Sequence, residues 1–351
     1  MAVVVGCPPV AVRSDSLGTD SLGTGSLGTD PLGPGLQPED LEQYRRELTG
    51  YCYRMLGSGF EAEDAVQETM VRAWKATGSF EGRSSVRSWV YRIATNVCLD
   101  QLRGRQRRAR PMEMGTSSPA DVTHLGPMMP EHMWVSPIAD TRVLPPEGDP
   151  AEMAEAKETI RLAFVAALQH LPARQRAVLI LREVLRWQAT EVAELLDTTV
   201  ASVNSALQRA RATLAGCDLD ASPAPSMDAD QQELLARYVD AFERYDIPRL
   251  VSLLHDDAIQ SMPPYAMWLV GPEEIGRWLL GAGIGCRGSR MIATEANGAP
   301  AFGQYRIDPA GGHAPWAIQV IEVAGDRIVG LNAFLDTNLF AAFGLPAHLD
   351  N

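Results

Sequence analysis

The sequence predicts a multidomain protein: two all-α modules joined by a linker, then an α+β module shaped as a cone. Three observations predict it. Apolar residues recur at helical spacing through 39–110 and again through 157–216. Between these blocks, residues 111–156 carry eight prolines and a net charge of −7, one Lys+Arg against eight Asp+Glu, the composition of a flexible acidic linker. Beyond 228, short helical patterns give way to apolar runs separated by turn residues, the order expected of helices laid on an antiparallel sheet.

Composition narrows the function classes. A chain of 351 residues that is 46% hydrophobic can build several cores. No apolar run is long enough to span a membrane. The opening MAVVVGCPPVAV has no basic segment before it and no clear cleavage site after it, so it is not read as a signal peptide. The five cysteines, Cys7, Cys52, Cys98, Cys217 and Cys286, form no Cys-x-x-Cys pair. That predicts reduced thiols in a cytoplasm, with no disulfide framework and no metal site. The net charge of −13 is uneven: +3 for 39–110 and +3 for 157–215, against −10 for 216–351 and −2 for 1–38. Acidic parts are thus placed where they can screen the basic ones.

Residues 1–38 hold the tandem repeat SLGTD SLGTG SLGTD PLGPG, too rich in Gly and Pro for a core and expected to be disordered. From Asp40, Leu41, Tyr44, Leu48, Tyr51, Cys52 and Met55 mark a helix that stops at Gly57-Ser58-Gly59. In the next helix, 61–77, Val66, Met70, Ala73 and Trp74 form an apolar stripe. Asp64, Gln67, Glu68, Val71, Arg72 and Lys75 face away, ready to dock a partner helix. The loop 78–85 leads to a helix that starts at Ser84 or Ser85. There Val86, Val90, Ile93, Val97 and Leu102 lie inside with Trp89 beside them, and Arg87, Arg92, Thr95, Asn96 and Arg103 lie outside. The helix runs into five arginines between Arg103 and Arg110, which suits a nucleic-acid backbone.

The second block opens with Ile160, Phe164, Ala167 and Leu168, then LPARQRAVLILREVL with Val178, Leu179, Leu181 and Leu185 inward. A helix-turn-helix follows: helix 190–196, a turn at Asp197-Thr198, and helix 199–214. Ala193, Leu196, Val200, Val203 and Leu207 pack it, while Ser202, Asn204, Ser205, Gln208, Arg209 and Arg211 point outward, the residue types that read bases or grip phosphates in a major groove. A hinge, 217–227, precedes the cone. Leu234, Leu235, Tyr238, Val239 and Phe242 mark its first helix, with further helices at 248–254 and 272–280. Strands are predicted at 258–262, 291–296, 300–307, 317–323 and 327–334, the last two joined by a hairpin at Ala324-Gly325-Asp326.

The stretches EAEDAVQETMVRAW and FEGRSSVRSWVYRIATNVCLDQLR together resemble domain 2 of the extracytoplasmic-function (ECF) sigma factors of the sigma-70 family. LPARQRAVLILREVL and VNSALQRAR resemble domain 4 of the same family. YVDAFERYDIPRLVSLLHDDAIQSMPPY and VGLNAFLDTNLFAAFGLP resemble SnoaL-like cones. The arrangement is similar to the SigG-type subgroup over about 40–345, which implies domain 2 at 39–110, domain 4 at 157–216 and a SnoaL-like domain at 228–346. The resemblance implies that Asp64, Ala65, Val66, Gln67, Glu68 and Arg72 grip the β′ clamp helices of core RNA polymerase, with further contact to β. It implies that Phe80, Arg83, Ser84, Arg87, Trp89, Tyr91, Arg92, Asn96 and Arg103 hold −10 promoter DNA around a flipped base. Unstacking a base costs a few kcal/mol, and a stacking platform returns about 1–3 kcal/mol per base, so trapping can drive melting without fuel. Thr199, Ser202, Asn204, Ser205, Gln208, Arg209 and Arg211 would read the −35 element. Many relatives carry arginine where Asn204 stands.

The same resemblance implies that the linker threads polymerase channels, where Met128, Met129, Met133 and Trp134 would find packing partners. It implies that the acidic cone contacts the sigma domains within the chain and regulates them in cis, in place of a separate anti-sigma protein. A small-molecule ligand of the cone is expected to sit among Met262, Tyr265, Trp268, Tyr305, Trp316 and Phe334. His255, Asp256, Asp257, His313 and Asp336 are the candidate acid–base groups, but no spacing pairs them, so no catalytic residue, cofactor or metal is assigned. Two rivals are a helix-turn-helix regulator acting without polymerase and a SnoaL-like enzyme with a vestigial DNA-binding part.

Overall fold

The computed structural model describes residues 37, 39–80, 82, 84–120, 128–217 and 228–350. The N-terminal repeat, nearly all of the hinge and Arg83 lie outside the described residues.

The first helical module holds three long helices after a short one at Glu39–Glu42. α1 (Arg45–Leu56) buries Leu48, Tyr51, Cys52 and Met55 and stops where Gly57 turns to φ 73°. Glycine reaches that left-handed conformation without a Cβ clash. α2 (Gly59–Ala76) begins at Ser58, which accepts from the Glu61 N–H. α3 (Val86–Gln101) begins at Ser85, which accepts from the Ser88 N–H. Inside α2 the stripe runs through Ala62, Ala65, Val66, Thr69, Met70 and Ala73. Trp74, expected in that stripe, is instead 59% exposed, because Ala73 takes the inward position of the last turn. α3 buries a wider face than its single stripe predicts: Tyr91, Thr95 and Cys98 are inside along with Val86, Val90 and Val97. The reason is that α3 is covered twice, by α1 and α2 and by the second module.

That second module is α4 (Leu162–Leu168), α5 (Ala173–Leu179) running into a π turn at Ile180–Val184, α6 (Ala189–Leu195) and α7 (Val200–Leu214). α6 and α7 form the expected helix-turn-helix, with Asp197 at φ 49° in the turn. Thr199 caps α7 by accepting from the Ser202 N–H. Val203, Leu207 and Ala210 pack inward, whereas Val200, expected inside, lies exposed in the first turn.

The cone has α8 (Ala229–Arg244), α9 (Ile247–Val251) and α10 (Pro272–Leu280) on a six-stranded sheet. Its strands are β1 (Leu254–Ser261), β2 (Trp268–Val270), β3 (Arg290–Ala296), β4 (Ala299–Ile307), β5 (His313–Ala324) and β6 (Arg327–Phe334), in the order β2-β1-β6-β5-β4-β3. β1 and β6 pair in parallel and the other neighbours are antiparallel. The β5–β6 hairpin turns at Gly325-Asp326 between paired Ala324 and Arg327, as expected. One sheet face packs on Tyr238, Phe242, Ile275 and Trp278. The other, through Ala301, Tyr305, Ile318, Val320 and Phe334, joins the apolar cluster of the two helical modules.

The segment expected as a flexible linker is, in its described residues, a packed strap. Trp134, Val135, Ile138 and Val143 are buried. Ser136 donates its N–H to Gly57 O at 3.0 Å, and Ser118 donates its N–H to Trp268 O at 2.9 Å. Of the four residues expected to pack outside the chain, Trp134 is buried within it, Met129 and Met133 are half-buried and Met128 is exposed.

A Cβ added at Gly57 would sit at φ 73°, 3.1 Å from Gln169 and 3.2 Å from Arg108. Gly57→Ala is therefore expected to cost about 1–2 kcal/mol. A thermal midpoint equal to that of the unaltered chain would show the turn is not under this constraint.

Candidate functional site

Four of the six residues expected to face polymerase share an exposed flank of α2: Asp64, Gln67, Glu68 and Arg72. Arg72 Nε donates to Glu68 Oε1 at 2.7 Å, one helical turn away, which holds both side chains along the helix. Ala65 and Val66, predicted on that flank, lie in the core at 0% and 1% exposure. Their place in the helical period turns them inward, so they can shape the flank but not touch a partner directly.

The predicted −10 residues divide into three groups. Asn96 and Arg103 are exposed on α3 and its C-terminal turn. Phe80 and Trp89 pack ring on ring, centroids 5.0 Å apart, both half-buried beside a half-buried Ser84. The third group is engaged by the second helical module. Arg87 forks onto Glu47 of α1 at 2.8 and 3.1 Å and lies 5.3 Å from the ring of Trp187. Tyr91 packs at 5.0 Å on the same ring, and Arg92 Nη2 donates to Glu194 O of α6 at 3.1 Å. Tyr91, expected as an open stacking platform, is fully buried and sits edge-on to Tyr51. Burial pushes its phenol far above the usual tyrosine range, so it stays neutral.

The −35 set is brought together as predicted. Thr199, Ser202, Asn204, Ser205, Gln208, Arg209 and Arg211 are all exposed on α7 or at its cap. Arg211 Nη2 donates to Glu183 Oε1 at 2.6 Å. A helix with one buried and one polar face, presented by a tight turn, is the shape that enters a major groove.

Comparison with known proteins gives these surfaces a family. Residues 41–108 match the model for sigma-70 region 2, residues 161–214 that for sigma-70 region 4, and residues 235–331 that for a SnoaL-like domain. The chain is 46% identical over 313 residues to the ECF RNA polymerase sigma factor SigG of Mycobacterium tuberculosis, spanning 88% of this chain and 83% of that one. The chain belongs to the ECF sigma factors of the sigma-70 family. It is also 27% identical over 268 residues to the M. tuberculosis sigma factor SigJ, covering 74% of this chain and 78% of that one. The crystal structure of SigJ shares its fold over 88% of this chain and all of that one, with a TM-score of 0.55 at 24% identity.

In this sigma factor the three modules meet at a single hairpin. Ala296 pairs with Ala299, and the two residues between them, Asn297 at φ 57° and Gly298 at φ 72°, make a tight turn. Asn297 Nδ2 donates to Tyr53 Oη of domain 2 and to Ile160 O ahead of domain 4, each at 2.6 Å. Its Oδ1 accepts from the Ile138 N–H at 3.0 Å, and its own N–H donates to Ile138 O at 3.1 Å. The Gly298 N–H donates to Asp140 Oδ1 at 2.8 Å, and a Cβ at Gly298 would strike Lys157 at 2.8 Å. One side chain thus ties the cone to domain 2, to the linker and to the residue just ahead of domain 4.

Beside this knot, two buried cations span the seam between domains 2 and 4. Arg54 donates to Thr159 O at 3.1 Å and to Thr159 Oγ1 at 2.7 Å. Arg176 donates to Met55 O, and to Gln169 Oε1 at 2.6 Å. Burial without a carboxylate partner lowers each guanidinium to about 10. Such groups penalise any arrangement that leaves them unbonded. The opposite net charges of cone and sigma domains suggested an ionic contact. Among the described residues, the cone's ion pairs are internal, such as Arg249–Asp240 and Arg290–Glu243. The docking is apolar and neutral instead.

The cone's interior departs from the predicted pocket. Met262 and Trp316 line its cavity, together with Tyr238, Gln260, Trp278 and Cys286. Tyr265 and Trp268 hold the linker, Trp268 Nε1 donating to Gly115 O at 3.0 Å. Tyr305 and Phe334 lie on the opposite sheet face, where the domains pack. Alternation along a strand sends neighbours to opposite faces, and sequence alone does not say which face encloses the cavity. His255, Asp256 and Asp257 are exposed on β1, His313 meets Gly288 O at 3.0 Å, and the Asp336 carboxylate accepts from the Asn338 N–H at 2.9 Å. None of the five lines the cavity. The relatives are sigma factors, which lend transcription start-site choice to a polymerase rather than catalyse a reaction.

Asp140 gives the knot a pH dependence. It is 3% exposed, and burial pushes its carboxyl up to about 6, with Glu295 adding to the rise while the Gly298 N–H and Lys157 oppose it. The folded chain therefore keeps a proton that the unfolded chain releases near 3.8. Stability falls as pH rises between these values, by up to about 3 kcal/mol, and the loss persists above them. Asp140→Asn keeps the acceptor for Gly298 and removes the ionisation. Its thermal midpoint should stay flat over that window and exceed that of the unaltered chain at pH 7.5. Parallel curves for the two proteins would contradict this.

Proposed function

We propose that the chain works in the cytoplasm as a promoter-specificity subunit whose own cone holds it closed. The flank Asp64, Gln67, Glu68 and Arg72 docks on the β′ clamp helices of core RNA polymerase. Asn96 and Arg103, with the loop around Phe80 and Ser84, trap −10 bases, and the outer face of α7 reads the −35 element. The observation that carries the regulatory part is the Asn297 knot, which joins the cone to domain 2, to the linker and to the approach to domain 4. In this arrangement the −35 face is open while Arg87, Tyr91 and Arg92 are engaged by domain 4. Reaching two promoter elements at once requires domain 4 to leave domain 2, and the knot opposes that separation. Trp134, buried here, cannot pack in a polymerase channel until the strap lifts.

Run-off transcription with purified core polymerase tests both halves. Gln67→Ala with Glu68→Ala should abolish polymerase association while the fold persists, since both side chains are exposed. Retained association would remove the docking assignment. Asn297→Ala deletes three side-chain hydrogen bonds, each worth about 1 kcal/mol net. Promoter-dependent transcripts should rise roughly tenfold or more, and truncation at 221 should raise them as well. Output equal to that of the full unaltered chain in both would exclude regulation in cis.

A further inference from the structure

One reactive group inside the cone serves neither promoter recognition nor domain docking. Cys286 closes the turn Ala282–Cys286 just ahead of β3 and is 4% exposed. Its thiol lines a cavity of about 30 Å³, shared with Gln260, Met262, Trp278 and Trp316. A cavity of that size holds about two water-sized molecules. Arg306 Nη2 stands 3.0 Å from Cys286 Sγ, and its guanidinium lies 3.5 Å over the Trp316 ring. Among the described residues Arg306 has no carboxylate in ion-pair range. A guanidinium N–H aimed at the sulfur is placed to hold the charge that develops there as the sulfur attacks a small electrophile.

Two further groups point to a small oxygen-bearing guest. Gln260 is 6% exposed and lines the same cavity, yet its side chain makes no hydrogen bond among the described residues. Trp278 Nε1, also at the cavity wall, is buried without an acceptor. Both are N–H donors lacking an oxygen to bond.

We propose that Cys286 is a peroxide-reactive thiol. The sulfur attacks one oxygen of hydrogen peroxide, the O–O bond breaks, and the leaving hydroxide takes up the thiol proton to become water. Sulfur is oxidised by two electrons to the sulfenic acid and the peroxide is reduced. The Gln260 and Trp278 N–H groups bond to the departing oxygen. A two-oxygen molecule fits the cavity and a bulky organic hydroperoxide does not. Cys52 and Cys98 lie in the core of the first helical module and Cys217 ends the second, so the sulfenic acid has no resolving partner within the cone among the described residues. It waits for an external thiol. Strand β3 runs from this turn to the Asn297 knot. An added oxygen in so small a space displaces the turn and with it the strand. This coupling rests on the regulatory reading above; the oxidation chemistry does not.

The test treats the full chain with hydrogen peroxide in the presence of dimedone and maps the adducts by peptide mass spectrometry. The expected result is labelling of Cys286 ahead of Cys217, with none at Cys286 when cumene hydroperoxide is the oxidant. Arg306→Gln, which removes the N–H aimed at the sulfur, should slow labelling about tenfold. Gln260→Leu provides a second slowed variant should the first not fold. No adduct at Cys286, or equal rates in the folded variants, overturns the proposal. Peroxide should also raise promoter-dependent transcripts for the unaltered chain but not for Cys286→Ser. Labelling with unchanged transcripts overturns the coupling and leaves the regulatory reading to its own Asn297→Ala test.

Discussion

The contact between cone, linker and domain 2 in this sigma factor centres on one amide side chain at the tip of a two-residue turn. Asn297 can bond outward because the turn holds it and Gly298 in the left-handed region, which lifts the side chain away from the sheet. Its donors and acceptor are then spent on Tyr53, Ile160 and Ile138, groups from domain 2, the approach to domain 4 and the linker. These partners are buried, so breaking the set strands polar groups unless water or a new partner replaces it. Such a contact sets a single geometry without being permanent.

The sheet explains why the cone can serve as a clamp. In a free-standing cone one face would cover the helices and the other would meet water. Here α8 and α10 cover one face and the sigma domains share the other, so β4 and β5 bury side chains of both parities. Neutral, apolar docking also separates this contact from promoter binding. Salt that weakens phosphate contacts acts little on a seam made of Tyr53, Ile160, Ile318 and Phe334. The exposed arginines of α7 and the end of α3 remain the salt-sensitive part of the molecule.

Much of this was legible in the chain before any coordinates. Gly57 ends α1, and Ser85, one of the two serines offered as a start, caps α3, both as backbone and capping chemistry predict; Thr199, read as the first helical residue, is instead the cap of α7. The −35 face follows from helical periodicity because α7 is packed on one side only. Periodicity fell short for α3, where Tyr91 packs on Trp187, about a hundred residues further along the chain, and Thr95 is buried with its hydroxyl against Tyr51. The dipeptide Asn-Gly signals a hairpin, but nothing local says what its tip will touch. The stretch PMMPEHMWVSPIAD is more apolar than a spacer requires; Trp134, Val135 and Ile138 in it are buried within the chain, whereas Met128 is exposed. Four of the six expected cavity walls lie elsewhere: Tyr305 and Phe334 because period-two patterns define two faces without naming the enclosed one, Tyr265 and Trp268 because they hold the linker.

The account stands on the three modules separating for initiation. Single-molecule energy transfer between a dye on α2 and a dye on the exposed surface of β1 reads that separation directly. The free chain should show one compact distance, and the chain in an initiating complex with core polymerase and promoter DNA should show a longer one. An unchanged distance in complexes that are making transcripts would contradict the account.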